Sequence, residues 1–381
     1  MKFLQDPIPV DLFLLTLSIF SLTVLIQLYY ILIIQRKLAF FNSNQVKPAK
    51  TSSAFPVSII IAARNESDNL FKNLPHILGQ AYPEFEVIVV NHQSIDNSKD
   101  ILDAFSKQYS NLKIVELAQD KHLRAGKKLP LTIGIKAAQY EHLLFTDADC
   151  KPSSVHWLTK MSGSFSRSKQ IILGYGPMTK TKGFLNKLIR FDTAWIGVSY
   201  LSLALNKRPY MGVGRNLAYS KTTFFAVNGF KSHYSIESGD DDLFIQEAAK
   251  KNNYSIQIDP ETFMESPSKE RLSDWINQKA RHYTTSVKYK FIKKLLLAIY
   301  PVSLILTWFS FVSLVLLGTN SLIICSIMAA FYGLKWWIQG RCLNKLQEKK
   351  FALFFPLWDL FYALFIPMMF AIAKNKKKGT W

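Results

Sequence analysis

The chain has 381 residues, 47 of them Lys or Arg against 27 Asp or Glu, a formal net charge of +20, and 49% hydrophobic residues. That length accommodates one sizeable soluble domain together with membrane helices. Cys150, Cys325 and Cys342 have no metal-ligand spacing, which excludes a disulfide framework and a zinc site. Much of the positive charge flanks apolar segments, favouring anionic lipid headgroups over nucleic acid as its partner.

Residues 12–34 are apolar apart from scattered Ser, Thr and Gln27. A hydrocarbon core needs roughly 20 such residues, so residues 1–37 are predicted to form a transmembrane helix. A cleaved signal peptide is disfavoured, because the apolar run is too long and basic residues come directly after it. Those residues, Arg36, Lys37, Lys47 and Lys50, place the adjoining chain in the cytoplasm. Residues 38–55 read as a linker to a soluble domain at 56–290.

In that domain, residues 56–62 form a continuous β-branched run of the kind that fills a central parallel strand. Residues 67–78 read as a helix, 86–90 as a strand, 97–108 as a helix, 113–116 as a strand and 130–139 as a helix. This alternation predicts an α/β fold with a mostly parallel sheet and right-handed crossovers. No G-x-G-x-x-G or Walker loop follows any strand, which argues against an ordinary dinucleotide or P-loop site.

The stretch H-L-L-F-T-D-A-D-C-K at residues 142–151 reads as a buried strand running into Asp147 and Asp149. Side chains two apart on extended backbone share a side, so both carboxylates can converge on one cation where open α/β sheets bind ligands. Residues 184–203 mix Trp195 and Tyr200 with Lys187, Arg190 and Asp192, the pattern of a helix that either lies on a bilayer surface or packs on the sheet. The glycines of G-V-G-R-N-L-A-Y at 212–219 permit either a close backbone approach or a flexible turn.

Asp240, Asp241 and Asp242 come after Ser238 and Gly239 and open a helix. Packed like charges raise one another's pKa, which suits a general base, and an acidic first turn equally suits a helix N-terminus. Gln278 and Arg281 are three apart and share a helix face beside His282; they either meet phosphate or stay solvated.

Beyond the basic run Lys288, Lys290, Lys293 and Lys294, residues 295–317 and 322–338 predict a membrane hairpin across a short turn at 318–320. Arg341, Lys345, Lys349 and Lys350 then lie on the cytoplasmic side. The last apolar stretch, 351–373, is interrupted by Pro356, Asp359 and Pro367 and bordered by Lys374, Lys376, Lys377 and Lys378. For this part of residues 291–381 a re-entrant or interfacial pair of short helices is preferred to a clean span.

Four stretches, V-S-I-I-I-A-A-R-N-E-S at 57–67, T-D-A-D at 146–149, S-G-D-D-D-L-F at 238–244 and Q-K-A-R-H at 278–282, come in the order seen in family 2 glycosyltransferases. The chain resembles a membrane-embedded bacterial member of that family. The resemblance implies a GT-A fold and a single inverting displacement, with a nucleotide-diphospho-sugar donor, Mg²⁺ or Mn²⁺ on the diphosphate, and a carboxylate base. It also implies a multi-pass protein of the cell (inner) membrane whose catalytic domain is cytoplasmic and whose acceptor is a glycolipid or polyprenyl-linked glycan. A processive polysaccharide synthase and a catalytically silent nucleotide-sugar or lipid-binding protein are the rival readings.

On this resemblance Asp149 is assigned to the metal, and Asp147 to donor hydroxyls with help to the metal. Ala63, Arg64, Asn65, Glu66, His92 and Lys127 are assigned to the donor, and Asp241, with Asp240 second, to the base. Gly214, Arg215 and Asn216 are assigned to the acceptor. Gln278, Arg281 and His282 are assigned to diphosphate and acceptor, as in the family's Q-x-x-R-W motif, with His282 replacing Trp. Lys127 and Lys128 together face either diphosphate or solvent. After the second strand the family's V-D-D-x-S-x-D becomes V-N-H-Q-S-I-D at 90–96, so Asn91 and His92 stand at the base-holding positions and the donor's base is left open. Asp96 is read as a helix cap.

Overall fold

The computed structural model describes residues 10–42, 55–118, 126–318 and 320–374. The chain divides into two compact units, one from Met1–Phe40 with Lys290–Ala371 and one from Phe41–Tyr289 with Ile372–Trp381.

The second unit carries the strands β1 (Val57–Ala63), β2 (Phe85–His92), β3 (Leu112–Leu117), β4 (His142–Asp147), β5 (Lys151–Pro152), β6 (Ile171–Leu173), β7 (Leu217–Ser220), β8 (Tyr254–Ile256) and β9 (Met264–Glu265). Seven of them form one sheet in the order β3-β2-β1-β4-β7-β6-β8, and β5 pairs separately with β9. The first four strands in that order are parallel, β7 runs antiparallel to both neighbours, and β6 and β8 are parallel. The expected mostly parallel α/β sheet is therefore present.

Every residue of β1 is buried, which is why its sequence is apolar on both faces and not alternating, save for Ser58, whose hydroxyl donates to Glu86 Oε1 at 2.6 Å. Val57, Ile59 and Ile61 share one core with Leu70, Leu74 and Ile77 of the Ser67–Leu78 helix. On the other face a Cβ at Gly134 would lie 2.7 Å from Ile60 Cγ2 and 3.2 Å from Val90 Cγ2, so glycine sets how closely the Lys128–Ala137 helix rests on the sheet. That helix begins two positions before the predicted start. Pro130 lies in its first turn, where a missing N–H costs nothing.

Strand order positions the site. From β1 the chain moves outward to β2 and β3, then returns to add β4 on the opposite side. The carboxyl ends of β1 and β4 thus flank a topological switch point, where such sheets take ligands. Most of the Phe184–Leu205 helix is buried, Arg190, Asp192, Trp195 and Tyr200 included, which realises the packing alternative rather than the bilayer-surface one.

The other unit is helical. Val10–Tyr29 continues through a π-helical turn, Tyr30–Gln35, into Arg36–Ala39, and the later helices are Phe291–Leu316, Ser321–Lys345, Lys349–Leu353 and Phe355–Lys374. Among the described residues, four helices of this unit are long and apolar enough to cross a membrane. Gln27 Nε2 donates to Tyr300 O and Ser303 Oγ at 2.8 Å each, joining the first helix to the second.

The last apolar stretch differs from the preferred pair of short helices. A five-residue helix precedes one of 20 residues that continues through Pro367. Asp359 does not interrupt it, because its Oδ2 lies 2.6 Å from Lys335 Nζ and accepts the Tyr332 hydroxyl at 2.7 Å. Lys47, Lys50, Lys376, Lys377, Lys378 and most of the linker lie outside the described residues.

Candidate active site

β4 ends by turning Asp147 and Asp149 onto one rim. The ligand atoms of Asp147, Asp149 and Cys150 all lie within 4.8 Å of one another. The Cys150 thiol is fully buried, and burial followed by the charges of Asp149 and Asp147 pushes its pKa well up. It therefore stays protonated and donates to Asp149 Oδ1 at 3.2 Å. Two carboxylates without a thiolate form a hard oxygen donor set that fits Mg²⁺ or Mn²⁺ when substrate phosphates supply further ligands.

Lys127 Nζ donates to Asp147 Oδ1 at 2.7 Å. Burial acts to raise the Asp147 carboxyl, but Lys127, with Arg215 and Arg281 behind it, outweighs burial and holds the group below its ordinary value. Lys127 is itself held above its ordinary value: burial opposes this, and Asp147, Asp240 and Asp149 overcome it. The carboxylates of two segments far apart in sequence thus face a single ammonium. Glu66 faces the same group of charges; burial lifts its carboxyl, a hydrogen bond from Asn69 opposes this, and Asp149 adds to the lift.

The loops after β1 and β2 are tied together. Asn65 and Gln93 both adopt left-handed backbone, with φ of 54° and 57°. Asn65 N–H donates to Ser94 Oγ at 2.9 Å, and its Oδ1 accepts Ile95 N–H at 2.9 Å. Asp96 accepts the N–H groups of Ser67 at 3.0 Å and Ser98 at 3.1 Å, so it serves the starts of two helices. Ala63 is buried and presents backbone alone, while Arg64 is half-buried at the loop. His92 is buried, and burial followed by Arg64 pushes its imidazole toward the neutral form.

Asn91, 2% exposed, donates Nδ2 to both oxygens of Glu116 at 3.1 and 3.0 Å, directly across the β2–β3 register. Its Oδ1 is buried with no hydrogen-bond partner among the described residues. Glu116 is absent from the residues that sequence reasoning selects. No local signal separates it, because β3 reads L-K-I-V-E-L and carries Lys113 and Glu116 alike at exposed positions.

The acid run sits at the head of the Asp242–Ala248 helix. Asp241 Oδ2 accepts Gly214 N–H at 3.0 Å and its Oδ1 accepts Asp242 N–H at 2.7 Å. Burial, then Asp240 and Asp242, pushes the Asp241 carboxyl well above its ordinary value. Asp240 is raised by burial, with Lys127 opposing. Capping and pKa elevation, two alternatives from sequence, coexist in Asp241.

Other residues have different positions from those expected. Lys128 is buried and donates at 2.7 Å to each of His233 O, Ile236 O and Ser238 O, clamping the loop before the acid run; burial pushes its pKa down to about 8. It therefore faces neither solvent nor a phosphate. Asn216 has its amide fully engaged in the core, with Trp157 Nε1 on Oδ1 at 3.1 Å and Nδ2 on Tyr175 O and Thr262 O at 2.7 and 2.8 Å, so it does not reach an acceptor region. Arg215 anchors through Nε to Gly176 O at 3.1 Å, and its charge reaches Asp147.

The Leu272–Ser286 helix carries Gln278, Arg281 and His282. Arg281 directs its charge toward Asp147. His282 is exposed on this helix, close to Arg281 and Lys279. A buried ion pair between Lys279 and Asp192 fixes this helix to Phe184–Leu205. Thr285 and Tyr289 fix it to Asp242.

A parallel half-sheet with paired carboxylates at its switch point, faced by cations and a second acidic segment, defines a GT-A domain of the glycosyltransferase class. Comparison with known proteins agrees. Residues 58–228 match the pattern described as glycosyl transferase family 2, and residues 155–372, more than half of the chain, match glycosyl transferase family group 2. The chain belongs to the family 2 glycosyltransferases.

It is 32% identical over 122 residues to the poly-beta-1,6-N-acetyl-D-glucosamine synthase of Staphylococcus epidermidis, covering 32% of this chain and 28% of that protein. It is 34% identical over 126 residues to glycosyltransferase AglE of Haloferax volcanii, covering 32% and 40%. The chain thus spans less than half the length of these curated relatives. The mannosyltransferase PcManGT from Pyrobaculum calidifontis, solved in complex with GDP-Man and Mn²⁺, is similar in fold: the TM-score is 0.51 at 14% identity, over 89% of this chain and 99% of that one.

Proposed function

We propose that the chain moves a sugar, with inversion, from a nucleotide-diphospho-sugar to a hydroxyl of a membrane-associated acceptor, glycolipid or polyprenyl-linked. The observation that carries this reading is the Asp147 and Asp149 pair with Lys127 on Asp147 at 2.7 Å, together with a second acidic segment, Asp240 and Asp241 side by side at Gly214, whose Asp240 charge acts on Lys127. The apolar helices of the other unit support a bilayer setting, with the catalytic unit on the cytoplasmic side.

Asp149, assisted by the free oxygen of Asp147, is the group suited to hold Mg²⁺ or Mn²⁺; the relative solved with GDP-Man and Mn²⁺ supports this. Bound there, a divalent cation neutralises charge that builds on the leaving diphosphate. Arg281 and Lys127 add fixed positive charge on the same side. Asp241, kept basic by burial and its acidic neighbours, removes the proton from the acceptor hydroxyl. The hydroxyl oxygen forms a bond to the anomeric carbon as the bond from that carbon to the diphosphate oxygen breaks, and the electron pair leaves with the nucleoside diphosphate. One displacement on the face opposite the leaving group inverts the centre.

At the base subsite, the Asn91 amide nitrogen is turned to the Glu116 carboxylate, so the amide presents its carbonyl on the other side. That restores the acceptor character an aspartate would have there and suits a base with a ring N–H, such as uracil, thymine or guanine. A polymer-extending reading is favoured by one observation, the name of the Staphylococcus epidermidis relative.

The test uses full-length protein in lipid nanodiscs with native lipid extract, Mn²⁺ and a panel of sugar nucleotides. Release of nucleoside diphosphate with one sugar added per lipid supports the proposal. A ladder of products moves the reading to polymer synthesis, and no release from any donor refutes both.

A further inference from the structure

Asp242 differs from the two acids before it. It is buried, 6% exposed, yet every hydrogen bond it accepts comes from a defined donor. Oδ2 accepts the hydroxyls of Thr285 at 2.5 Å and Tyr289 at 2.6 Å, and Oδ1 accepts Leu243 N–H at 2.7 Å. Its own N–H donates to Asp241 Oδ1 at 2.7 Å. Burying a carboxylate is costly, and three charge-assisted hydrogen bonds are the kind of compensation it requires. An amide in the same place would offer one accepting oxygen for three donors.

The donors identify what Asp242 connects. Thr285 lies in the last turn of the Leu272–Ser286 helix and Tyr289 just beyond it, on the segment that also carries Gln278, Arg281 and His282. Upstream, Lys128 clamps the loop that enters the acid run through three carbonyls. Asp241 therefore stands between two fixed points.

We propose that Asp242 is a positioning residue that seats Asp241 against the Arg281-bearing helix, so that the proton acceptor is in register only when the phosphate-facing helix is docked. The proposal rests on the reading of Asp241 as the base. It also makes Asp242 a fixed negative charge beside that base. The other groups facing Asp241 are Asp240 on its own segment, Lys128 from the Lys128–Ala137 helix, Tyr200, Tyr219 and Tyr289.

The experiment compares Asp241→Asn, Asp242→Asn and Tyr289→Phe in the full chain, reading kcat, donor KM and the acid limb of the pH profile, with binding of UDP and GDP in Mn²⁺ as a fold control. Asp242→Asn is expected to lower kcat by on the order of 10- to 100-fold while KM stays within about twofold, and to move the acid limb to lower pH, since a charge beside Asp241 is gone. Tyr289→Phe weakens the pin but keeps the charge, so kcat falls less and the limb stays in place. If Asp241→Asn is inactive while Asp242→Asn keeps the parent kcat and limb, the positioning role is overturned alone. If Asp241→Asn retains turnover, the base assignment falls and takes this proposal with it. Nucleotide binding lost in Asp242→Asn leaves the decision to Tyr289→Phe, where an unchanged kcat overturns the proposal.

Discussion

Lys127 Nζ lies 2.7 Å from Asp147 Oδ1, joining the residue that precedes one helix to the end of the strand that leads into the Asp147 and Asp149 pair. One oxygen of Asp147 is thereby engaged, so in the proposed metal site Asp149 is the main ligand. Lys127→Met should release Asp147, raise its carboxyl toward the ordinary range and weaken the site for phosphate. We expect donor affinity to fall on the order of tenfold at neutral pH, read by titration calorimetry with a nonhydrolysable sugar nucleotide and Mn²⁺. Unchanged affinity would show that Lys127 serves Asp147 alone.

The acid run should trade stability for reactivity. The folded pKa of Asp241 is raised, so the folded state binds its proton more tightly than the unfolded chain does. Its contribution to stability is therefore present below the ordinary carboxylate pKa of about 3.9 and lost as pH rises through the elevated folded value. Asp241→Asn should abolish transfer and melt no lower than the parent at pH 7, with any advantage shrinking as pH falls toward 4. Asp240→Asn should retain transfer and shift the acid limb downward, because it removes a charge that also raises Asp241. A dead Asp240→Asn beside an active Asp241→Asn would exchange the two roles.

Base selection is testable as a charge exchange across β2 and β3. Asn91→Asp alone sets two carboxylates face to face and should weaken nucleotide binding on the order of tenfold. Combining it with Glu116→Gln restores one donor and one acceptor in reversed order and should recover most of the loss. Equilibrium dialysis with UDP, GDP, dTDP and CDP measures both effects. A double variant no better than the single would remove Glu116 from base recognition.

Asp192 and Lys279 are 3% and 9% exposed at the side chain and hold the Leu272–Ser286 helix in place. Breaking a buried pair by removing one partner costs about 3–5 kcal/mol. Asp192→Asn should accordingly lower Tm on the order of 10 °C and raise donor KM, since Arg281 rides on the same helix. Scanning calorimetry reads the first effect and initial rates the second. A Tm loss with normal KM would confine the pair to stability.

Much of this architecture is legible from periodicity. The helix predicted at 67–78 is observed as Ser67–Leu78, and the buried runs at β1 and β4 appear where uninterrupted apolar residues demand them. Asp147 and Asp149 stand out because strand geometry alone puts them on one side. What escapes is pairing across sequence distance. Lys127 and Lys128 are adjacent and chemically identical, yet one meets a carboxylate and the other three carbonyls, a division set by helix phase and by a loop more than a hundred residues away. Asn216 and Glu116 elude a sequence reading for the same reason: each is defined by tertiary partners that no local pattern announces. The final helix reads as broken when Asp359 is weighed without Lys335.

That Lys335–Asp359 contact has a consequence for biogenesis. Aspartate in the Phe355–Lys374 helix would be ill suited to hydrocarbon by itself, and Lys335 in the preceding helix equally so. Among the described residues each finds its counter-ion in the other, so in the proposed bilayer setting the two segments are expected to leave the insertion machinery as a joined pair, the earlier one waiting at its exit until the later one has been synthesised.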